Sequence, residues 1–304
     1  MVIKMNENFT NEQKYSLMNF SRNFKTRPSD SNKGLSRLFS GLSVGVYFLV
    51  NYIVAVILSF IAVGILFVLE STVNINLDTA SIYLNSILNT LIYIILFLSL
   101  LPFLIKAIVE DFKKICMKNY LIFAIVAFII FLLIIMVYNV TIQEVLIQIL
   151  LKTKLVSLET LKAYSASANQ QGINQMLSDP FSAIISIPVL VILGPIAEEL
   201  VFRKALFRLF NFKHNIFNIL ITAFLFGMIH VSTAIFANLS EILLGNISYG
   251  FQTTILEIVY LGSYCLPGFL LGVIYSITGN NIYPVILVHI FNNAFAVLLT
   301  YIQI

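Results

Sequence analysis

The stretch Gly194-Pro195-Ile196-Ala197-Glu198-Glu199-Leu200-Val201-Phe202-Arg203 places two adjacent carboxylates inside an apolar run. On a helix, successive residues diverge by about 100°, so the two acids leave on different faces. Glu199 and Arg203 are spaced i, i+4 with the acid first, the favourable order for an ion pair. That leaves Glu198 without a partner nearby in sequence. Pro195 removes an N–H just before the acids and frees the carbonyl four residues earlier, loosening the helix there. Two further apolar stretches carry Phe226-Gly227-Met228-Ile229-His230 and His289-Ile290-Phe291-Asn292-Asn293. His289 and Asn293 are one turn apart and share a face. An apolar setting makes a carboxylate a stronger general base, and a histidine beside it can hold or share the proton of a water. A second histidine and an amide can donate hydrogen bonds to a developing oxyanion. This set suffices to hydrolyse an amide with activated water. The same Glu198, His230 and His289 would also serve as a zinc site with an open water position.

Each group has a bland reading beside the chemical one. Glu199 with Arg203 reads as a structural ion pair, either histidine alone as a packing residue, Phe226 as core, and Asn292 as a helix contact. Glu257, near one end of its apolar run, reads as interfacial. Taken together, with Glu198 unexplained, the groups favour a site.

The elements that must position them are membrane helices. Hydrophobic residues make up 59% of the 304 and charged residues 11%, too few charges to cover a water-facing surface. Mean hydropathy is +0.95. Apolar runs long enough to cross a bilayer core fall near 44–69, 82–109, 120–140, 181–207, 215–237, 253–277 and 281–302. The run from Leu121 to Val140 shows none of the alternation of a barrel strand, so the spans are helices. The predicted fold is therefore all-α and polytopic, with seven transmembrane helices. An eighth arises only if the amphipathic piece 141–161 inserts; it reads instead as an extension of helix 3 followed by an interfacial helix. Residues 163–179, rich in Ser, Asn and Gln, read as an exposed loop. The first 37 residues are polar, lack the apolar core of a signal peptide, and read as a cytoplasmic tail. Residues 38–180 then form an N-terminal membrane part and 181–304 a core. Cys116 and Cys265 suggest neither a disulfide nor a cysteine-based zinc site.

Basic residues set the orientation. Seven precede the first span; Lys106, Lys113, Lys114 and Lys118 follow the second; Arg203, Lys204, Arg208 and Lys213 follow the fourth. Only Lys152, Lys154 and Lys162 fall on the other side, so fifteen of the eighteen share one side. The positive-inside bias puts the N-terminus in the cytoplasm. The net charge of +4 reflects topology and implies no nucleic-acid partner. From the predicted cytoplasmic ends, Glu198 lies about 15 Å deep, His289 about 12 Å and His230 about 22 Å, at 1.5 Å per residue. The site is expected in or near the cytoplasmic half.

Glu198-Glu199-x-x-x-Arg203, Phe226-x-x-x-His230 and His289-x-x-x-Asn293, in this order on successive spans, resemble the three motifs of the CAAX protease and bacteriocin-processing (abortive infection, CPBP) family. The resemblance covers 181–302; the first three spans match nothing specific. It implies cleavage of a peptide bond within the membrane, in a peptide, a bacteriocin or signal precursor, or a lipidated C-terminus. By similarity, Glu198 and His230 would activate the attacking water, and His289 with Asn293 would form the oxyanion hole. Glu199 and Arg203 would orient the site. The family was long described as metalloproteases; the expectation here is metal-independent hydrolysis, with zinc on Glu198, His230 and His289 as the other option. No H-E-x-x-H, no paired intramembrane aspartates and no G-x-S-x-G nucleophile with a histidine partner is evident, which argues against other intramembrane proteases. Two non-proteolytic readings stand beside this one. The first is a regulator or bacteriocin self-immunity protein that binds partner membrane proteins. The second is a proton-coupled transporter, disfavoured by the lack of paired repeats. Abundant Ile, Asn, Lys and Phe suggest an AT-rich genome and hence a bacterial plasma membrane. Substrate identity and oligomeric state are not legible in the sequence.

Overall fold

The computed structural model describes residues 37–73, 76–113, 117–210, 212 and 214–303. The expected N-terminal tail as far as residue 36, together with Lys114, Cys116 and Lys213, lies outside the described residues. The chain is all-helical among the described residues, with seven helices long and apolar enough to cross a membrane. In chain order they are α1 (Arg37–Thr72), α2 (Leu77–Phe112) and α3 (Leu121–Lys152), then two short helices, α4 (Leu158–Ala163) and α5 (Ala168–Leu177). The last four spans are α6 (Pro180–Phe210), α7 (Asn215–Leu243), α8 (Ile247–Ile277) and α9 (Ile282–Gln303). The protein is an integral membrane protein. Each expected span matches one of these helices to within a residue at its start or lies inside it, and α3 runs on past residue 140 to Lys152.

The helices sort by their surroundings. In α1, Phe60, Val63 and Phe67 are exposed, and in α3 so are Ile125, Ile129 and Leu133, as lipid-facing residues must be. In α6, the whole stretch from Leu200 to Leu206 is buried. The core joins Leu96, Leu100 and Leu104 of α2 to Phe202 and Phe207 of α6, Phe226 of α7, Tyr275 of α8 and Val288 of α9. Helices α7 and α8 form a close antiparallel hairpin. A Cβ on Gly227 would meet Cys265 Sγ at 2.5 Å, and one on Gly268 would meet Ala223 Cα and Phe226 Cβ at 3.1 Å. Small residues at these contacts let the two backbones approach.

Three expectations are corrected. Residues 163–179 are not an exposed loop. Ser157, Ser167 and Asp179 cap three successive helices by accepting the N–H groups of Thr160, Gln170 and Ser182, and Ser167 and Leu177 are buried. Polar side chains that read as solvated face inward here. Glu257 is fully buried rather than interfacial, because the 164–168 segment lies over it. Arg203 and Lys204, expected at a turn, are fully buried within α6, which continues to Phe210. Lys204 pairs with Asp111, donates to the Asn280 carbonyl at 2.9 Å and lies 5.5 Å from the Tyr275 ring centroid. Asp111 also accepts the Ile282 N–H at 2.9 Å, so this knot ties the ends of α2 and α9 to α6.

Candidate active site

Helix α6 reaches the site through irregular turns. Its backbone takes a wide π turn over Val189–Leu193 and another over Leu200–Leu206, with Gly194–Glu199 between them. Such bulges recur at functional sites because they re-aim side chains. In the first bulge the Gly194 N–H bonds the Val189 carbonyl, one residue beyond the α-helical partner. The Leu190 carbonyl thereby loses Gly194, and the next residue, Pro195, has no N–H to offer. Asn293 Nδ2 donates to that carbonyl at 2.8 Å. The proline break and the amide on α9 are thus one feature; the loosening expected at Pro195 falls on Leu190, one residue earlier than helical counting suggests.

The two glutamates separate as their spacing implies. Glu199 is fully buried: Oε2 accepts Arg203 Nε at 2.9 Å, and Oε1 accepts His289 Nδ1 at 2.9 Å. Arg203 Nη1 donates to Thr222 Oγ1 at 3.2 Å, and its guanidinium lies 5.8 Å from the Phe226 ring centroid. Glu198 has no Lys or Arg in ion-pair range among the described residues; its Oε2 is 3.8 Å from His289 Nε2, and the Tyr93 hydroxyl hydrogen-bonds its carboxyl. With Nδ1 given to Glu199, His289 donates from Nε2 only when the ring carries its second proton.

His230 Nδ1 lies 2.7 Å from the Phe226 carbonyl. A carbonyl only accepts, so Nδ1 carries the proton and Nε2 keeps a lone pair. The imidazole meets the Phe226 ring at 4.8 Å between centroids and stacks on Tyr264 at 4.6 Å and 14°. Phe226 also contacts Phe202 and His289 at 5.3 and 5.8 Å, so it is the ring around which the site is packed. Asn292 donates to Asn293 Oδ1 at 3.2 Å, which orients the neighbouring amide.

Glu198, His230, His289 and Asn293 all line one cavity of about 740 Å³. It runs to Ser165, Asn169 and Gln170 beside α5, and to Asn139 and Gln143 of α3. The site was expected to face the basic end; the cavity instead extends away from it, since the buried Asp111–Lys204 knot fills that end. Donors for a metal do not converge: no group of three or more His, Cys, Asp or Glu among the described residues is arranged to hold an ion. Both Nδ1 atoms are already committed. Sequence reasoning missed Tyr93, Thr222 and Tyr264. Tyr93 and Tyr264 did carry a signal, a hydroxyl deep in a span rather than at its interface, where tyrosines are usually found.

A membrane-embedded acid–histidine cluster thus lies in the last four spans of this seven-span protein. Residues 180–295 match the family described as type II CAAX prenyl endopeptidase Rce1-like, and this segment is a domain of that protease family. The match takes in all three motifs and leaves α1–α3 outside it. No curated protein matches the chain, nor does any solved structure.

Proposed function

We propose that the protein is an intramembrane endopeptidase that hydrolyses a peptide bond with water activated by Glu198 and His230. The observation that carries this reading is Glu198 itself, a carboxylate without a cationic partner facing a cavity, beside a neighbour fully paired with Arg203. Charge balance supports it. Glu199 and Arg203 cancel, so burying a charged Glu198 is relieved if His289 carries a second proton, on Nε2.

In that state Glu198 is a base while His289 Nε2 is a donor. A water held by Glu198 and the lone pair of His230 Nε2 adds its oxygen to the carbonyl carbon and gives its proton to Glu198. The carbonyl π electrons move onto its oxygen, which accepts from His289 Nε2–H and from the second N–H of Asn293, the first being on Leu190. Glu198 then delivers the proton to the amide nitrogen as the C–N bond breaks. Glu199 and Arg203 hold His289 in place. The reaction needs no metal: purified protein stripped by chelator keeps its activity, and stoichiometric zinc that is lost on changing His230 or His289 overturns this point.

The substrate is a peptide, a bacteriocin or signal precursor, or a lipidated C-terminus, reached from within the bilayer. The N-terminus lies in the cytoplasm of a bacterial cell, a reading supported by the basic-residue bias and tested by reporter fusions at either end. Comparative proteomics of membrane peptides from wild-type and Glu198→Ala cells at equal protein level tests the activity. Products present only in the wild type are expected. A phenotype that survives the substitution would mean that the protein acts by binding, as a self-immunity protein would.

A further inference from the structure

We propose that Tyr264 is a positioning residue for His230, and that it is itself held by the short helix α5. The proposal rests on the proposed protease site, since it concerns the histidine taken to hold the attacking water. Glu257, Tyr260 and Tyr264 lie at i, i+3 and i+7 on α8 and so form one ridge. Each grips the segment that enters α5. Glu257 Oε1 accepts the Tyr164 hydroxyl at 2.5 Å and the Ala168 N–H at 2.7 Å. The Tyr260 hydroxyl donates to the Tyr164 carbonyl at 3.4 Å.

Tyr264 ends the ridge and has contacts on both sides. Asn169 Nδ2 donates to its hydroxyl at 3.2 Å, and that hydroxyl shares a hydrogen bond with Ser167 Oγ at 2.7 Å. Ser167 Oγ is also the N-cap of α5, accepting the Gln170 N–H. At its other edge the Tyr264 ring stacks on His230. The Phe226 carbonyl fixes one nitrogen of the imidazole and the tilted Phe226 ring touches one side, which leaves the imidazole some freedom to rotate about that hydrogen bond. A flat ring parallel to the imidazole removes that freedom and fixes where the Nε2 lone pair points. Docking of α5 on α8 therefore orients the histidine through one tyrosine.

The chain has three histidines, His214, His230 and His289, so imidazole NMR signals of selectively labelled protein in detergent are few enough to assign by substitution. Three variants separate the contacts. Tyr264→Leu removes stack and hydroxyl, Tyr264→Phe removes the hydroxyl alone, and Ser167→Ala with Asn169→Ala removes the far partners together with the α5 cap that Ser167 supplies. The His230 ring signals of the wild type carry the ring-current shift of Tyr264. Tyr264→Leu abolishes it, and the other two variants reduce it by broadening or partial averaging. Cleavage follows the same order: kcat falls about tenfold or more in Tyr264→Leu and severalfold in the others, with KM unchanged. If all three variants, with melting behaviour like the wild type, keep the His230 signals and kcat, the proposal is overturned. Loss of the shift together with equal activity of the wild type and Glu198→Ala would instead sink the protease reading and leave the positioning contact standing.

Discussion

Removing Glu199 strands a fully buried guanidinium, whereas removing the charge of Glu198 strands nothing. Breaking a buried ion pair by taking away one partner costs about 3–5 kcal/mol, because the remaining charge stays buried without compensation. Glu199→Gln and Arg203→Ala should therefore lower the temperature at which detergent-purified protein leaves the monodisperse peak in size-exclusion chromatography. Glu198→Gln should leave that temperature close to the wild type while abolishing cleavage. Equal losses of stability from Glu198→Gln and Glu199→Gln would refute this division of labour. The division was legible before the structure, since 100° per residue and an i+4 arginine suffice to separate the two acids. The roles of Tyr93, Thr222 and Tyr264 were not legible, although the depth of the two tyrosines in their spans sets them apart. Each acquires its meaning from a side chain on another helix, and nothing local marks a tyrosine in α2 as the neighbour of a glutamate in α6.

Helix α6 is irregular because its backbone accounting fails at one place, and α9 repairs the failure. With Gly194 bonded to Val189 and no N–H on Pro195, the Leu190 carbonyl depends on Asn293. A buried acceptor left unsatisfied costs about 1–3 kcal/mol. Asn293→Ala should destabilise the protein by an amount in that range. Pro195→Ala restores an N–H in the position that a π turn would use for Leu190. The Asn293→Ala penalty should therefore shrink in the Pro195→Ala background, and a double-mutant cycle on unfolding in mixed micelles reads the coupling. Additive effects would mean that the proline and the amide are independent. At this scale the sequence showed the seven spans and the proline break, because apolar length and a missing N–H are local properties. It did not show which register the break adopts. Nor did it show α5, whose Ser, Asn and Gln residues resemble a loop until their inward partners are known, although Ser167-x-x-Gln170 has the spacing of a helix start.

At the scale of the whole molecule, the space around the reacting groups constrains the shape of the substrate. A helix about 10 Å across with its side chains and rising 1.5 Å per residue occupies roughly 120 Å³ per residue, so a cavity of about 740 Å³ holds about six residues. A spanning helix of about 20 residues does not fit, and the scissile segment must enter as a short stretch. Glu198 and His230 can approach a backbone carbonyl only if it is free of its intrahelical bond, because a helix shields its carbonyls with N–H groups four residues on. Asn51, Asn89, Asn139 and Gln143 line the same cavity and offer amide groups to an unwound backbone, which in lipid would otherwise have no partners. Cleavage should therefore depend on how easily the substrate unwinds locally. Placing two glycines beside the scissile bond of a cleaved peptide should raise kcat/KM by several-fold. Replacing the same positions by alanine and leucine should lower it, following helix propensities of up to about 1 kcal/mol per residue. Synthetic peptides in proteoliposomes, scored by mass spectrometry of the products, measure this directly. Equal rates across that series would mean that the cavity admits an intact helix, and that the amides along its wall do not serve an exposed backbone.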